Sequence, residues 1–386
     1  MSQPLALKDG NATLLAQTPR YVNAIMNPED DSFPRLSCPA INMDRYTVLR
    51  PQSTSDSPNS SSRQFYFALD LHQCAERLPR LLGSIVQVAR FLGIQNCALS
   101  IVEGRSTDGT FEILETLREA LGNIGFQYYL NTSEIDPFGS GRDQRIEGLA
   151  ELRNIALKPL IDHQRAFAED ATVVFLNDVA ACPDDILELV YQRAIQNADM
   201  TCAMDWIYAL PDPSFYDVWI ARGMTGDSFF RIPPNGSWDN AWNLLWNDDL
   251  ARRRLHAGKP FQVFSCWNGA VVFPAKPIVS GQIKFRAHYD GESYQGEPKL
   301  FCKDMWVSGY GKIAVVPSVN LAYSDEDGKK IKDLKGYVQR WIGQEGDDIK
   351  ISWNEDPPEK VRWMPEYDQQ EMIPWDEGLP NRNGTD

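Results

Sequence analysis

The apolar run Ala171-Thr172-Val173-Val174-Phe175-Leu176 breaks off at Asn177-Asp178, and an acid so placed is the first sign of chemistry in the chain. A β-branched and aromatic run of this length predicts a buried strand covered on both faces. Pro183-Asp184-Asp185 then predicts a helix start, with Pro in the first turn and carboxylates near the positive end of the dipole. Ligands of such sheets gather beyond the carboxyl ends of the strands, so Asp178 stands where a divalent cation on a nucleotide diphosphate could be held. Three more runs stop at acids: 64–69 at Asp70, 96–102 at Glu103 and 200–204 at Asp205. Carboxylates converging on one sheet edge are costly unless a cation or ligand hydrogen bonds offset them, which points to a metal, ribose or sugar site. Each acid taken singly could equally begin a turn.

Two other patterns carry suitable groups. Glu103-Gly-Arg105-Ser106-Thr107-Asp108-Gly109-Thr110 places a carboxylate and a polar turn ahead of a helix, which suits a base and ribose or a plain capping turn. Arg145, Arg153 and Asn154 lie on or beside one helical face, and arginine forks make bidentate bonds to diphosphates; a solvated stripe with Glu147 and Glu151 is the alternative. The chain has no Gly-x-Gly-x-x-Gly, no Lys-bearing phosphate loop and no Gly-x-Ser-x-Gly elbow, so dinucleotide enzymes, P-loop ATPases and serine hydrolases fall away.

The elements that position these residues follow from periodicity. Strands are expected at 64–69, 96–102, 126–130, 171–177 and 200–204, with helices over 75–92, from Asp108 to Gly122, over 145–157 and over 183–197. This β–α order predicts an α/β fold with a mostly parallel, doubly wound sheet in the half spanning 64–205. Beyond Asp205 tryptophan and proline become dense, and 206–325 is expected to form a mixed region folded onto the sheet. Residues 1–20 are expected to be a mobile arm, 21–63 a packed extension ending in a polar loop from Pro51, and 326–386 a tail wrapping the surface.

Composition narrows the partners. With 386 residues, 43% hydrophobic and 24% charged, the chain is an ordinary globular protein. A net charge of -15 without a basic stretch argues against nucleic acid, but not against a nucleotide, which needs only a few local cations. No apolar run approaches the ~20 residues of a membrane span, and the N-terminus lacks the pattern of a signal peptide. Seven scattered cysteines without a Cys-x-x-Cys spacing disfavour zinc, leave at least one free thiol, and are most simply placed in a reducing compartment.

Taken in order, Glu103-x-x-Ser106-x-Asp108-x-Thr110, Arg145-Ile-x-x-Leu149-Ala150-x-x-Arg153-Asn154 and Phe175-x-Asn177-Asp178-Val179 form a series. It continues with Tyr216-Asp217-Val218-Trp219-x-x-Arg222, Trp267-Asn268-Gly269 and Leu300-Phe301-Cys302-x-Asp304-Met305-Trp306. The series resembles the fungal capsule-associated α-1,3-mannosyltransferases, glycosyltransferase family 69, over roughly Tyr21 to Tyr323. That resemblance implies a GT-A-type fold, a GDP-mannose donor, Mn²⁺ (or Mg²⁺), and transfer with retention to a hydroxyl of a glycan or small metabolite. Asn177-Asp178 would take the place of the Asp-x-Asp metal motif, with one acid and Ala180 where a second could stand. Asp205, Asp304 or His288 would then have to supply a further ligand. Asp70, Glu103, Ser106, Asp108, Arg145, Arg153, Asn154 and Asn177 would bind the donor. Asp217, Trp219, Arg222, Trp267, Asn268 and Gly269 would bind the sugar or acceptor, and Asp304 the acceptor hydroxyl. Lacking the family's usual N-terminal anchor, the chain is expected in the cytoplasm, or in the Golgi lumen if an anchor has been removed. Another nucleotide-sugar donor, or a non-catalytic carbohydrate-binding role on the same fold, are the competing readings.

Overall fold

The computed structural model describes residues 12–51, 62–139, 141–344, 346 and 348–379. Residues 1–11 of the expected arm and 52–61 of the expected polar loop lie outside the described residues. Residues 12–20, also expected to be mobile, open a helix instead. This is α1 (Ala12–Met26), which buries Ala24 and Ile25, and Thr18 Oγ1 accepts a bond from Thr116 at 3.2 Å. The short α2 (Met43–Tyr46) follows, its start capped by Asn42.

The alternating half then runs in the expected order. It comprises β1 (Arg63–Leu71), α3 (Leu78–Leu92), β2 (Cys97–Gly104), α4 (Thr110–Asn123) and β3 (Gln127–Ser133). It continues through α5 (Arg142–Asp162), β4 (Phe167–Leu176), α6 (Pro183–Gln196) and β5 (Met200–Ile207). Along β1, Phe65, Phe67 and Leu69 pack on one side with α3 and α4, while Tyr66 and Ala68 pack on the other with α5. Both faces of these central strands are covered, which is why their sequences are apolar throughout. At the start of α6 the Asp185 carboxylate accepts the Cys182 N–H at 2.8 Å.

The second half adds β6 (Ser214–Phe215), β7 (Arg222–Gly223), α7 (Asp249–His256), β8 (Phe261–Ser265), β9 (Ala270–Pro274) and α8 (Lys276–Val279). Next come α9 (Glu297–Val307), β10 (Ile313–Ala322), α10 (Asp325–Lys335) and a hairpin of β11 (Lys360–Glu366) and β12 (Gln369–Pro374). The result is a mixed α/β fold around one large sheet, ordered β3-β2-β1-β4-β9-β5-β10-β8-β7, with β6 on β5. The long ladders β3-β2-β1-β4 and β5-β10 are parallel. Strand β9 runs antiparallel between β4 and β5, an insertion the β–α order does not reveal. The segment from Glu326, expected on the surface, instead buries Ile331, Lys332, Val361 and Met364.

Two disulfides, Cys38–Cys182 and Cys202–Cys266, replace the expected set of thiols, leaving Cys74, Cys97 and Cys302 free and buried. The pairing removes the ground for a reducing compartment. Among the described residues no helix is long and apolar enough to cross a membrane.

Candidate active site

From β1 the chain steps outward to β2 and β3, then returns to β4 on the other side of β1. Strand order therefore reverses between β1 and β4, and the crevice beyond their carboxyl ends is the place where such sheets bind ligands. A cavity of about 290 Å³ lies there, lined by Asp70 near the end of β1 and His72 just after it, Arg105 after β2, Asp136 and Phe138 after β3, and Asn177-Asp178 after β4. Burial pushes the Asp70 carboxyl up to about 6, against the favourable charge of Arg153. Burial likewise raises Asp178, opposed by an ion pair with Arg77 at 2.8 Å. Arg105 pairs with Asp136 across the cavity wall and holds its carboxyl below the usual range. Beside them Phe138 is 66% exposed, with the Arg145 guanidinium 4.9 Å from its ring centre.

A second cavity, about 430 Å³, shares Leu149, Arg153 and Asn177 with the first. Its walls carry Tyr216, Asp217, Trp219, Tyr323, Arg222 and Lys299. Trp219 is 39% exposed and stacked on Tyr367 with ring centres 4.8 Å apart, at the wall of this cavity. Burial pushes Asp217 up to about 6, although the Asn268 N–H donates to it at 2.9 Å. At the junction Arg153 pairs with Glu297 at 2.9 Å and lies 4.4 Å over the Trp267 ring. Asn177 is fixed from both sides: its N–H donates to the Gly269 carbonyl at 2.9 Å, and its side-chain oxygen accepts from Trp267 Nε1 at 3.0 Å. Gly269 has φ +81°, and a Cβ there would stand 3.1 Å from Val179 Cγ1, so any side chain would be strained in its backbone and crowded.

Several residues expected in the site are elsewhere. Glu103 is buried and caps its own turn by accepting the Ser106 N–H at 2.9 Å. Ser106 and Asp108 stitch that loop to the one after β1, accepting from the Gln73 and Ala75 N–H groups at 3.0 and 2.9 Å. Asn154 clamps the backbone of Phe285 through both its side-chain oxygen and nitrogen. Trp267 does line the larger cavity, but at 2% exposure it is packed among Phe175, Phe285 and Phe301, with Arg153 over its ring. Asn268 is fully buried and donates to the Ala203 carbonyl at 2.8 Å. Asp304 does not open a helix but lies in the second half of α9, in a forked bond to Arg286 at 2.7 and 2.8 Å. His288 packs its ring against Tyr294 and lines neither cavity. Asp205 is wholly buried beneath the second cavity, receives the Tyr323 hydroxyl at 2.7 Å, and is held strongly toward its neutral form by burial and by Asp217.

Sequence reasoning also missed residues. Arg77, which grips Asp178, follows Asp70 by seven positions in a stretch without any charge pattern. Glu297, Lys299 and Tyr323 reach the cavity only through tertiary packing, while Tyr216 sits unremarked beside Asp217 in a motif already singled out.

Among the described residues no three His, Cys, Asp or Glu side chains stand close enough together to hold a metal ion. The donor set at Asp178 is a single strand-end carboxylate facing a cavity. That set fits an ion whose remaining ligands are phosphate oxygens and water, and not a cage built wholly of protein.

A family model described as cryptococcal mannosyltransferase 1 matches residues 64–304, the span that contains both cavities except for the C-terminal wall. An α-1,3-mannosyltransferase of Cryptococcus neoformans is 37% identical over 325 residues, covering 79% of this chain and 69% of that one. The chain belongs to this mannosyltransferase family. It is thereby an enzyme of the glycosyltransferase class. Among solved structures, Staphylococcus aureus TarS 1–349 aligns at 13% identity and a TM-score of 0.38, over 73% of this chain and 71% of that one. The Pyrobaculum calidifontis mannosyltransferase in complex with GDP-mannose and Mn²⁺ aligns at 12% identity and a TM-score of 0.38, over 81% and 68%. GalNAc-T7 with UDP, GalNAc and Mn²⁺ aligns at 13% and 0.41, over 83% of this chain but 56% of its own length.

Proposed function

We propose that the protein transfers mannose from GDP-mannose to a saccharide hydroxyl, forming an α-linkage with retention on a GT-A-type fold. Family membership supports mannosyl transfer. The observation that carries the rest is the pair of cavities that share Arg153 and Asn177 at the β1/β4 crevice. A nucleoside fits the smaller one, against Asp70 and Phe138, and the sugar with its acceptor fits the larger. The diphosphate then spans the junction, where Arg153 and Arg145 offset the charge that grows on the leaving group. Asp178 would hold Mn²⁺, or Mg²⁺, with phosphate oxygens completing its shell, and Arg77 would release it. The bound ion supplies further neutralisation of the leaving diphosphate. Trp219 and Tyr216 present ring faces to the sugars, and Asp217 accepts a mannose hydroxyl. Because Asp304 is committed to Arg286, no separate base is assigned; the departing phosphate oxygen takes the acceptor proton.

The test is release of GDP and of mannosylated product from GDP-mannose, compared with UDP- and other GDP-sugars, in the presence of Mn²⁺. The reading expects turnover of GDP-mannose that Asp178→Ala removes. Saccharide binding with no turnover of any donor contradicts it.

A further inference from the structure

The floor of the larger cavity holds two basic side chains that form no ion pair among the described residues. Arg222 is 0% exposed and Lys299 is 2% exposed. Both donate to one oxygen, the backbone carbonyl of Arg362: Arg222 through Nε at 2.8 Å and Lys299 through Nζ at 2.8 Å. Two basic heads are therefore held side by side, out of water, across a single neutral acceptor. Arg222 Nη1 donates to the Val218 and Ala221 carbonyls, while Nη2 has no partner among the described residues.

Asp227 and Asp217 lend Arg222 favourable charge from a distance, but three acids nearby have partners of their own. Asp227 takes Arg362 in a fork at 3.0 Å on each arm, Glu297 pairs with Arg153, and Asp217 accepts the Asn268 N–H. Among the described residues neither Arg222 nor Lys299 forms an ion pair. Burial, with the charges of Arg222 and Lys303, pushes Lys299 well below the usual lysine range, and burial brings Arg222 down to about 10. An uncompensated buried charge is among the most costly features a fold can keep. A chain with 53 acids against 38 basic residues had ample material to neutralise the pair. Helix α9 also starts at this wall, with Gly296 at its N-cap and no side-chain cap, so its positive end adds to the same field.

We propose that Arg222 and Lys299 form an anion subsite in the acceptor cavity, and that the acceptor is a saccharide bearing a carboxylate or a phosphate. The word acceptor rests on the transferase reading; the anion site does not. The diphosphate of the donor lies at the opposite end, by Asn177 and Asp178. A charge-assisted, forked contact of this kind gives both affinity and orientation, and it would bring the acceptor hydroxyl to a fixed place above Trp219.

The experiment uses three matched probes: methyl α-mannoside, its 6-phosphate and its 6-carboxylate. Calorimetry without donor gives each dissociation constant, and transfer from GDP-mannose gives kcat/KM. At least one charged probe is expected to bind about tenfold or more tightly than the neutral one, and Lys299→Gln to narrow that gap to about threefold or less. Which charged probe leads tells a uronate from a phosphate. Equal binding of all three by the wild-type protein overturns the proposal without need of a variant. An unaltered preference in both Lys299→Gln and Arg222→Lys overturns it as well. Charged probes bound through Lys299 with no mannose transferred would instead refute the transferase reading and leave the subsite standing.

Discussion

Asp70 should be an unfavourable residue that the fold keeps for its ligand. It lies next to last in β1, half-buried in the smaller cavity, and burial lifts its carboxyl from 3.8 to about 6. Between those two values the native state binds more protons at this group than the unfolded chain does. Stability conferred by the protonated carboxyl is thus complete below about pH 4 and is lost as pH rises through about 6. A shift of about two units sets a ceiling of about 3 kcal/mol, and solvent contact at a half-buried group reduces this to about 1–2 kcal/mol. Asp70→Asn keeps the shape and removes the charge. The variant should match the wild type at pH 4 and exceed it by about 1–2 kcal/mol at pH 7.5, or about 2 °C in Tm given the usual melting entropy per residue. Urea unfolding at pH 4, 5, 6 and 7.5 reads the gap directly, and GDP binding on the same samples should weaken by about tenfold. A variant less stable than wild type at pH 7.5, or a gap that does not change with pH, refutes the reasoning.

Three other perturbations have defined outcomes. Gly269→Ala puts a Cβ 3.1 Å from Val179 Cγ1 at φ +81°; thermal melts should show a loss of about 2–4 kcal/mol, and activity should fall with it because Asn177 bonds to this residue. Glu297→Gln leaves Arg153 buried without its partner and should cost about 3 kcal/mol in urea unfolding, with a larger KM for the donor. Replacing Cys38 and Cys182 together by serine opens a closure of 144 residues, and a loop of that length predicts a loss of up to about 5 kcal/mol, read as a Tm several degrees lower.

What could be seen in the sequence was set by how local its cause is. The strands β1, β2, β4 and β5 and the helices between them follow from short apolar runs and from Pro183 with its acids, all of which act within a few residues. For the antiparallel β9, nothing local says that it wedges between β4 and β5. The same limit governs the site. That Asp70, Asn177 and Asp178 line one crevice was legible because strand ends of a parallel sheet share one edge. Glu103, Ser106 and Asp108 carried the right chemistry, yet their bonds are spent on stitching two loops together. Trp267 and Asn268 looked like an acceptor platform, but Trp267 is packed in place to hold Asn177 and Asn268 is buried on the Ala203 carbonyl. Arg77 on Asp178, and the Arg222–Lys299 pair on one carbonyl, join residues far apart in the chain and leave no pattern in it. Disulfide partners are equally unreadable, since seven cysteines allow many pairings.

The central claim is that the crevice between β1 and β4 takes the nucleotide of the donor with its phosphates at Asp178. A crystal structure with GDP and Mn²⁺ addresses it most directly. The base is expected in the cavity between Asp70 and Phe138, the diphosphate beside Asn177 and Arg153, and the ion on the Asp178 carboxylate with Arg77 swung away. GDP lodged outside this crevice, or an ion bound away from Asp178, would contradict it.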